Sequence, residues 1–300
     1  MQMLKITAAS RFHTIHPAGR FTPIQMAEHF HKVGFEGFDF DMNEYTDVYA
    51  PEERDSIISA LADKAAALGL SVDMCHLPFY GKKDIRMLDL ELNHKLIKMG
   101  IEGAAKLGVR NGVIHPQPLI MPLEQFDDED CFRKTVEYLT PLAEHAARHG
   151  VRLAIENMSN HACVNGIYRY CSMPEEVVRV ADYFGAGICW DFGHANLTGL
   201  CQSAELEILR GRVKTVHIHD NDGVTDSHRI PFTVADRVPV GAAIDWEDAA
   251  EGLRLCEFLA EPNRCLNLEL KTSDLPTDRS IRLSHAQTAL QAARRLAGLL

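Results

Sequence analysis

The chain has 300 residues, 46% of them hydrophobic, and 31 Lys and Arg against 42 Asp and Glu give a formal net charge of −11. That apolar fraction supports a large core, the acidic balance argues against a nucleic-acid backbone as the main partner, and no stretch approaches the roughly 18 apolar residues of a membrane span. The opening residues, MQMLKITAASRFHTIHP, lack the apolar centre of a secretion signal, and the eight cysteines form no C-x-x-C pair, so a reducing cytoplasm is expected.

Strand-like and helical patterns alternate from one end to the other. The first extended run covers 4–9 and is followed by a helical pattern at 24–33. The pairs then repeat: 37–41 with 53–68, 71–76 with 88–107, 112–115 with 132–149, 152–156 with 174–183, 186–191 with 204–209, 213–219 with 244–258, and 266–270 with 284–299. The helical stretches carry apolar residues near i, i+3, i+4 and i+7. Gly34, Gly69, Gly108, Gly150 and Gly185 each stand between a helix and the next strand, where a left-handed residue ends the helix. Eight βα units at a spacing of roughly 35 residues predict an α/β fold, a single (β/α)8 TIM barrel filling one domain over 1–300. A doubly wound open sheet would need fewer strands and a Gly-rich turn after the first. Here Ala9-Ser10-Arg11-Phe12 follows instead.

Six of the runs end in a side chain able to hold a metal: His76, His115, Glu156, Asp191, His217 and Glu269. Strand side chains alternate between faces, so their in-phase neighbours Met74, Val113, Ala154, Cys189, Thr215 and Asn267 are expected inside the barrel. The six then form a ring at the C-terminal mouth, where barrels of this kind do their chemistry. Three carboxylates converging there would repel one another without a cation. With His217 they make a mixed oxygen and nitrogen set suited to Mn²⁺, Mg²⁺, Co²⁺ or Zn²⁺, and no thiolate argues for a thiophilic site.

Smaller expectations attach to other positions. Lys271 lies on the face of Glu269 and could bind a substrate oxygen or hold that carboxylate ionised. His219, in phase with His217, could orient the ligands or belong to a loop. Trp190 should pack under the helices. Asp39 and Asp41 are expected in salt bridges to neighbouring strands more than in the mouth. Tyr168-Arg169-Tyr170 falls in a long loop, as a lid or an oligomer contact. The acidic residues 124–130 suit a helix start.

The strings LAIENMS, CWDFGHANLTG, VHIHDNDGVTDSH, VGAAIDW and LNLELK resemble the xylose isomerase-like TIM barrels, the sugar isomerase and epimerase superfamily that also contains the endonuclease IV-type apurinic nucleases. The resemblance implies that Glu156, Asp191, His217 and Glu269 bind one divalent metal, most simply Mn²⁺. It makes Glu156 and Glu269 the acid/base pair of an enediolate isomerisation or epimerisation of a sugar, polyol or keto-sugar. His76, His115, His194 and Lys271 would then contact the carbohydrate substrate, and Asp226 and His228 could add to the metal site. A dehydratase or lyase acting on a keto-sugar, keto-inositol or 3-keto-glycoside would use the same site. The nuclease branch's three-zinc ligand set maps in order onto His76, His115, Glu156, Asp191, His194, His217, Asp226, His228 and Glu269, although its ENTAGQG-type stretch is ENMSNHA here. The ketose epimerases carry an Arg shortly after the metal His; Gly223 stands in that vicinity and Arg229 is the nearest Arg. Members of the superfamily form homo-oligomers, and an oligomer or a partner subunit is compatible with this chain. Nucleic acid and membrane are not expected partners.

Overall fold

A computed structural model describes residues 4–10, 21–79, 89–116, 119–160, 166–239, 241–272, 275 and 278–300. The strands are β1 (Lys5–Ala9), β2 (Gly37–Asp39), β3 (Met74–His76), β4 (Asn111–Ile114), β5 (Ile120–Pro122), β6 (Arg152–Glu156), β7 (Ile167–Arg169), β8 (Gly187–Asp191), β9 (Val213–Ile218) and β10 (Cys265–Leu268). The helices are α1 (Pro23–Val33), α2 (Pro51–Leu68), α3 (Leu90–Lys106), α4 (Asp128–Arg148), α5 (Pro174–Phe184), α6 (Phe192–Thr198), α7 (Gln202–Ile208), α8 (Trp246–Leu255) and α9 (Arg279–Ala297).

Eight strands lie parallel in the order β2-β1-β10-β9-β8-β6-β4-β3. A parallel bridge between Gly37 and Ser71 joins the two ends of that series, with the Phe38 N–H donating to the Ser71 carbonyl at 3.0 Å. The approach is so close that a Cβ on Gly37 would lie 2.3 Å from the Ser71 oxygen, and glycine is required there. The sheet is therefore a barrel with helices outside it, and the (β/α)8 expectation holds.

Burial follows the period of two. Met74, Val113, Ala154, Cys189 and Cys265 form an apolar layer inside the barrel, separate from the larger core between sheet and helices. Thr215 and Asn267 are also buried. Trp190 points the other way: it is fully buried, and its indole N–H donates to Gln202 of α7 at 2.9 Å. The seven described cysteines are free. Among the described residues no helix is long and apolar enough to cross a membrane.

The structure differs from the sequence reading in a few places. β2 stops at Asp39, and β3 contracts to three residues, Met74–His76, with Ser71 before it joined to Gly37 by an isolated bridge. Helix α6 is additional and starts directly from Asp191, which caps it. Residues 167–169 are a strand instead of a loop, paired antiparallel with β5 through Ile120–Arg169, Met121–Tyr168 and Pro122–Ile167. The acidic run does open α4: Asp127 caps it and Asp128, Glu129 and Asp130 fill its first turn. Leu88, Arg11, Phe12 and part of ENMSNHA lie outside the described residues.

Candidate metal centre

Above the apolar layer the strands end together, and their last side chains converge. Glu156 is the hub. Its Oε2 lies 3.1 Å from His76 Nε2 and 3.0 Å from His115 Nε2, and its Oε1 lies 3.1 Å from His217 Nδ1. Burial works to raise its pKa, but His115 and His217 hold it well below the ordinary carboxylate range. Asp191 is also fully buried. Its Oδ1 accepts the His194 N–H at 2.7 Å and faces His219 Nε2 at 3.0 Å. Burial opposes its charge too, yet His194 and His219 keep it well below its usual value. Glu269 follows β10 and places Oε2 3.2 Å from His217 Nδ1. Its pKa is lowered against burial by His217 and His228.

His217 sits among these three. Its Nδ1 is 3.1 Å from Glu156, 3.2 Å from Glu269 and 3.8 Å from Asp191. One ring N–H can satisfy one carboxylate, so a proton on Nδ1 cannot balance all three. Ligand atoms of Glu156, Asp191, His217 and Glu269 lie within 4.8 Å of one another, all buried. A small divalent cation fits this donor set by chemistry and spacing. Burial lowers the His217 pKa, but Cys189, Glu269 and Glu156 raise it well above an ordinary imidazole. The pocket is built for positive charge at that point.

Two further groups flank the first. His76, His115 and Glu156 offer ligand atoms within 4.8 Å, as do His219, His228 and Glu269. His76 Nδ1 donates to the Leu77 carbonyl at 2.8 Å, which turns Nε2 into the mouth. Burial pushes the His115 pKa down to about 4 despite Glu156 beside it. Phe79 lies with its ring centroid 4.8 Å from both His76 and His115. On the other side the rings of His219 and His228 stack at 3.9 Å. His228 Nδ1 donates to the Glu269 carbonyl at 2.8 Å, and its Nε2 faces Asp226 at 3.0 Å. His228 itself has φ 45°, a left-handed conformation that few non-glycine residues adopt. His194 Nδ1 is bound to the Asn157 carbonyl at 2.8 Å. Asn157 also locks β6 to β8, accepting the Asp191 N–H at 2.6 Å and donating to the Asp191 carbonyl at 3.0 Å.

The nine positions of the three-zinc set thus gather at one end of the barrel, but their grouping differs from the expected one. The third group forms on His219, which approaches Asp191 and stacks on His228. Lys271 does not reach Glu269: its ammonium bonds to the Asp226 carbonyl and lies 3.3 Å from Asp226 Oδ2. Asp39 corrects the salt-bridge expectation. It is buried in the barrel, accepts the His76 backbone N–H at 2.8 Å and the Asn267 amide at 3.2 Å, and stands 3.9 Å from His217 Nε2. Burial is the main cause of its pKa rising to about 6. Asp41 accepts from Asn43 at 2.9 Å, outside the ligand groups. Asn157, Phe79 and Gly193 escaped the sequence reading; the E-N and G-H pairs beside Glu156 and His194 were the available signals.

A sequence model described as xylose isomerase-like TIM barrel matches residues 27–284. The uncharacterised protein MJ1311 of Methanocaldococcus jannaschii is 31% identical over 162 residues, 51% of this chain and 53% of that one. The chain spans about half the length of the curated relatives it matches. A D-tagatose 3-epimerase-like protein superposes with a TM-score of 0.70 at 18% identity, covering 98% of both chains. The 3-keto-D-glucoside 4-epimerase YcjR from E. coli gives 0.67 at 15% identity, covering 98% of this chain and 100% of that one. At these identities the likeness to the solved structures is one of fold.

Proposed function

The chain belongs to the xylose isomerase-like TIM barrel family, and from that membership and the chemistry of the mouth we propose that it is a divalent-metal-dependent isomerase or epimerase of a sugar, polyol or keto-sugar. The observation that carries this reading is the convergence of three buried carboxylates on His217 Nδ1. Glu156, Asp191, His217 and Glu269 would hold the cation, with Mn²⁺ the first choice. When bound, it would polarise a substrate carbonyl and neighbouring hydroxyl, acidifying the C–H between them.

The protein's own groups then move the proton. Glu156 and Glu269 approach His217 from the fifth and eighth barrel strands and are both held ionised by imidazoles, so each can accept a proton. One would remove the proton beside the carbonyl, and the other would return one from the opposite face or to the adjacent carbon. His194, with Nδ1 committed to the Asn157 carbonyl, presents its other nitrogen to a substrate hydroxyl. His76 and His115 supply polar contacts on the far side, and Phe79 beside them offers an apolar wall for a sugar ring. The epimerases among the superposed proteins support the same reaction class.

The test is solvent deuterium incorporation next to the carbonyl across a panel of ketoses, followed by NMR on Mn²⁺-loaded protein. Glu156→Gln and Glu269→Gln should each lower the exchange rate by about 10²–10⁴-fold. Full activity in Glu156→Gln with metal still bound would sink the assignment. A product lighter by one water would identify a dehydratase on the same site. The two flanking ligand groups favour a second reading as a multi-metal nuclease. Three zincs per chain together with incision of abasic DNA would establish it in place of the isomerase.

A further inference from the structure

A cavity of about 570 Å³ opens beside the candidate metal centre, within the usual range for a small-molecule site. It is walled by Ser227, His228, Arg229, Arg237, Lys271 and His285, together with Asp222 and apolar residues of the same loops. These come from the segments after the seventh and eighth barrel strands, β9 and β10, and from α9. His228 ties the cavity to the mouth, because its Nδ1 is bonded to the Glu269 carbonyl.

The charge here is opposite to that of the whole chain. Three cations line the cavity against one carboxylate, Asp222, in a protein of net charge −11. Asp222 is already committed: its Oδ1 accepts from the Val224 and Thr225 N–H groups at 3.0 and 2.7 Å. Lys271 leans on Asp226 at the rim. Elsewhere Arg133, Arg179, Arg212 and Arg254 each hold an acidic partner at 2.7 Å or less. Arg229 and Arg237 have no acidic partner among the described residues. The Ser227 hydroxyl is buried and likewise makes no hydrogen bond. A buried donor left unsatisfied costs free energy. Arg229 and Arg237 are both exposed at the cavity, where their guanidinium groups are open to an incoming anion. Arginine forks suit planar or tetrahedral oxyanions, and TIM barrels often bind phosphate with the loops after strands seven and eight.

We propose that this cavity binds the anionic end of the substrate, a phosphate monoester or a carboxylate, held by Arg229, Arg237, Lys271 and Ser227. The proposal rests on the isomerase reading for the far end of the same molecule: the carbonyl end lies at the metal ring and the anion beyond His228. It makes the substrate a sugar phosphate or a sugar acid, in contrast to a neutral sugar.

The first arm of the test is calorimetric titration of the metal-loaded protein with inorganic phosphate, beside an Arg229→Gln/Arg237→Gln variant checked for unchanged metal content and melting temperature. Phosphate affinity should fall at least tenfold in the variant. Equal affinity in the two proteins would place phosphate on the metal and overturn the proposal. An Arg237→Gln single variant should lie between them, and it provides the test if the double variant does not fold. The second arm compares a ketohexose, its 6-phosphate and the corresponding ketohexuronate by deuterium incorporation. One anion should exceed the neutral sugar by at least 100-fold in kcat/KM, and which one does so distinguishes phosphate from carboxylate. A neutral sugar turned over as fast as both anions would refute the site. Arginine-dependent phosphate binding with no sugar turnover would uphold the cavity and reject the isomerase reading; turnover of neutral sugar without phosphate binding would do the reverse.

Discussion

At Glu156 two carboxylate oxygens meet four imidazoles within 3.7 Å, those of His76, His115, His194 and His217. Such density leaves little freedom to the residues around it, and Gly193 shows how little. A Cβ at that position would lie 1.9 Å from His219 Cε1 and 2.5 Å from its Nδ1. The imidazole has little room to move, because His228 stacks on its face and Asp191 lies 3.0 Å from its Nε2. Gly193→Ala should therefore displace His219 from Asp191 and cost about 1–3 kcal/mol in urea unfolding. In a His219→Ala background the same change should cost almost nothing, so a double-mutant cycle should return nearly the whole penalty as coupling. Additive effects would mean that the glycine serves its helix alone. The ring residues themselves were legible in the sequence because each closes an apolar run in the phase of its strand. Asp39 was less so: the run 37–41 carries Asp39 and Asp41 in the same phase, and alternation alone does not choose between the mouth and a salt bridge to a neighbouring strand.

The added pair β5–β7 and the start of α5 form one unit, held by Glu176. Its carboxylate accepts the Tyr168 hydroxyl at 2.5 Å and the Ser172 and Met173 N–H groups at 3.1 and 3.3 Å. Burial nonetheless raises its pKa from the ordinary 4.5 to about 7. A carboxyl whose folded value lies above its unfolded value favours folding when protonated. The cost of ionising it grows as pH rises from about 4.5 to about 7 and is complete above that, on the order of 3 kcal/mol. Glu176→Gln should flatten the fall in stability between pH 5 and 7, measured by urea unfolding at several pH values. Parallel curves for the two proteins would show that the carboxylate is already ionised at pH 5. The main helices were readable from their 3.6-residue period and the left-handed glycines that end them. The β5–β7 pair was hidden because three-residue strands carry no period. Helix α6 was hidden because its cap, Asp191, is also the last residue of a strand, and a sequence pattern assigns a residue to one element.

Across the whole molecule, the eightfold alternation was enough to predict the barrel, whereas its chemistry depends on how six strand ends meet. A cation bound only by the folded state stabilises it by mass action, about 2.7 kcal/mol at a hundredfold excess over Kd. Mn²⁺ added to chelator-treated protein should therefore raise the melting temperature on the order of 5 °C. No shift at saturating Mn²⁺ would show that the ring does not take the ion. Beneath the ring the first strand of the chain lies beside the last, β1 against β10, and Thr7 donates to Asn267 at 2.9 Å across 260 residues of chain. At a synthesis rate of about 5–20 residues per second, β1 leaves the ribosome roughly 13–50 s before the strand that completes it. During that interval its Ile6, Thr7 and Ala8 lack the β10 partner and an edge stands open to other chains. The half-made barrel is thus the species on which a chaperone would act, and the ligand ring is among the last features to exist.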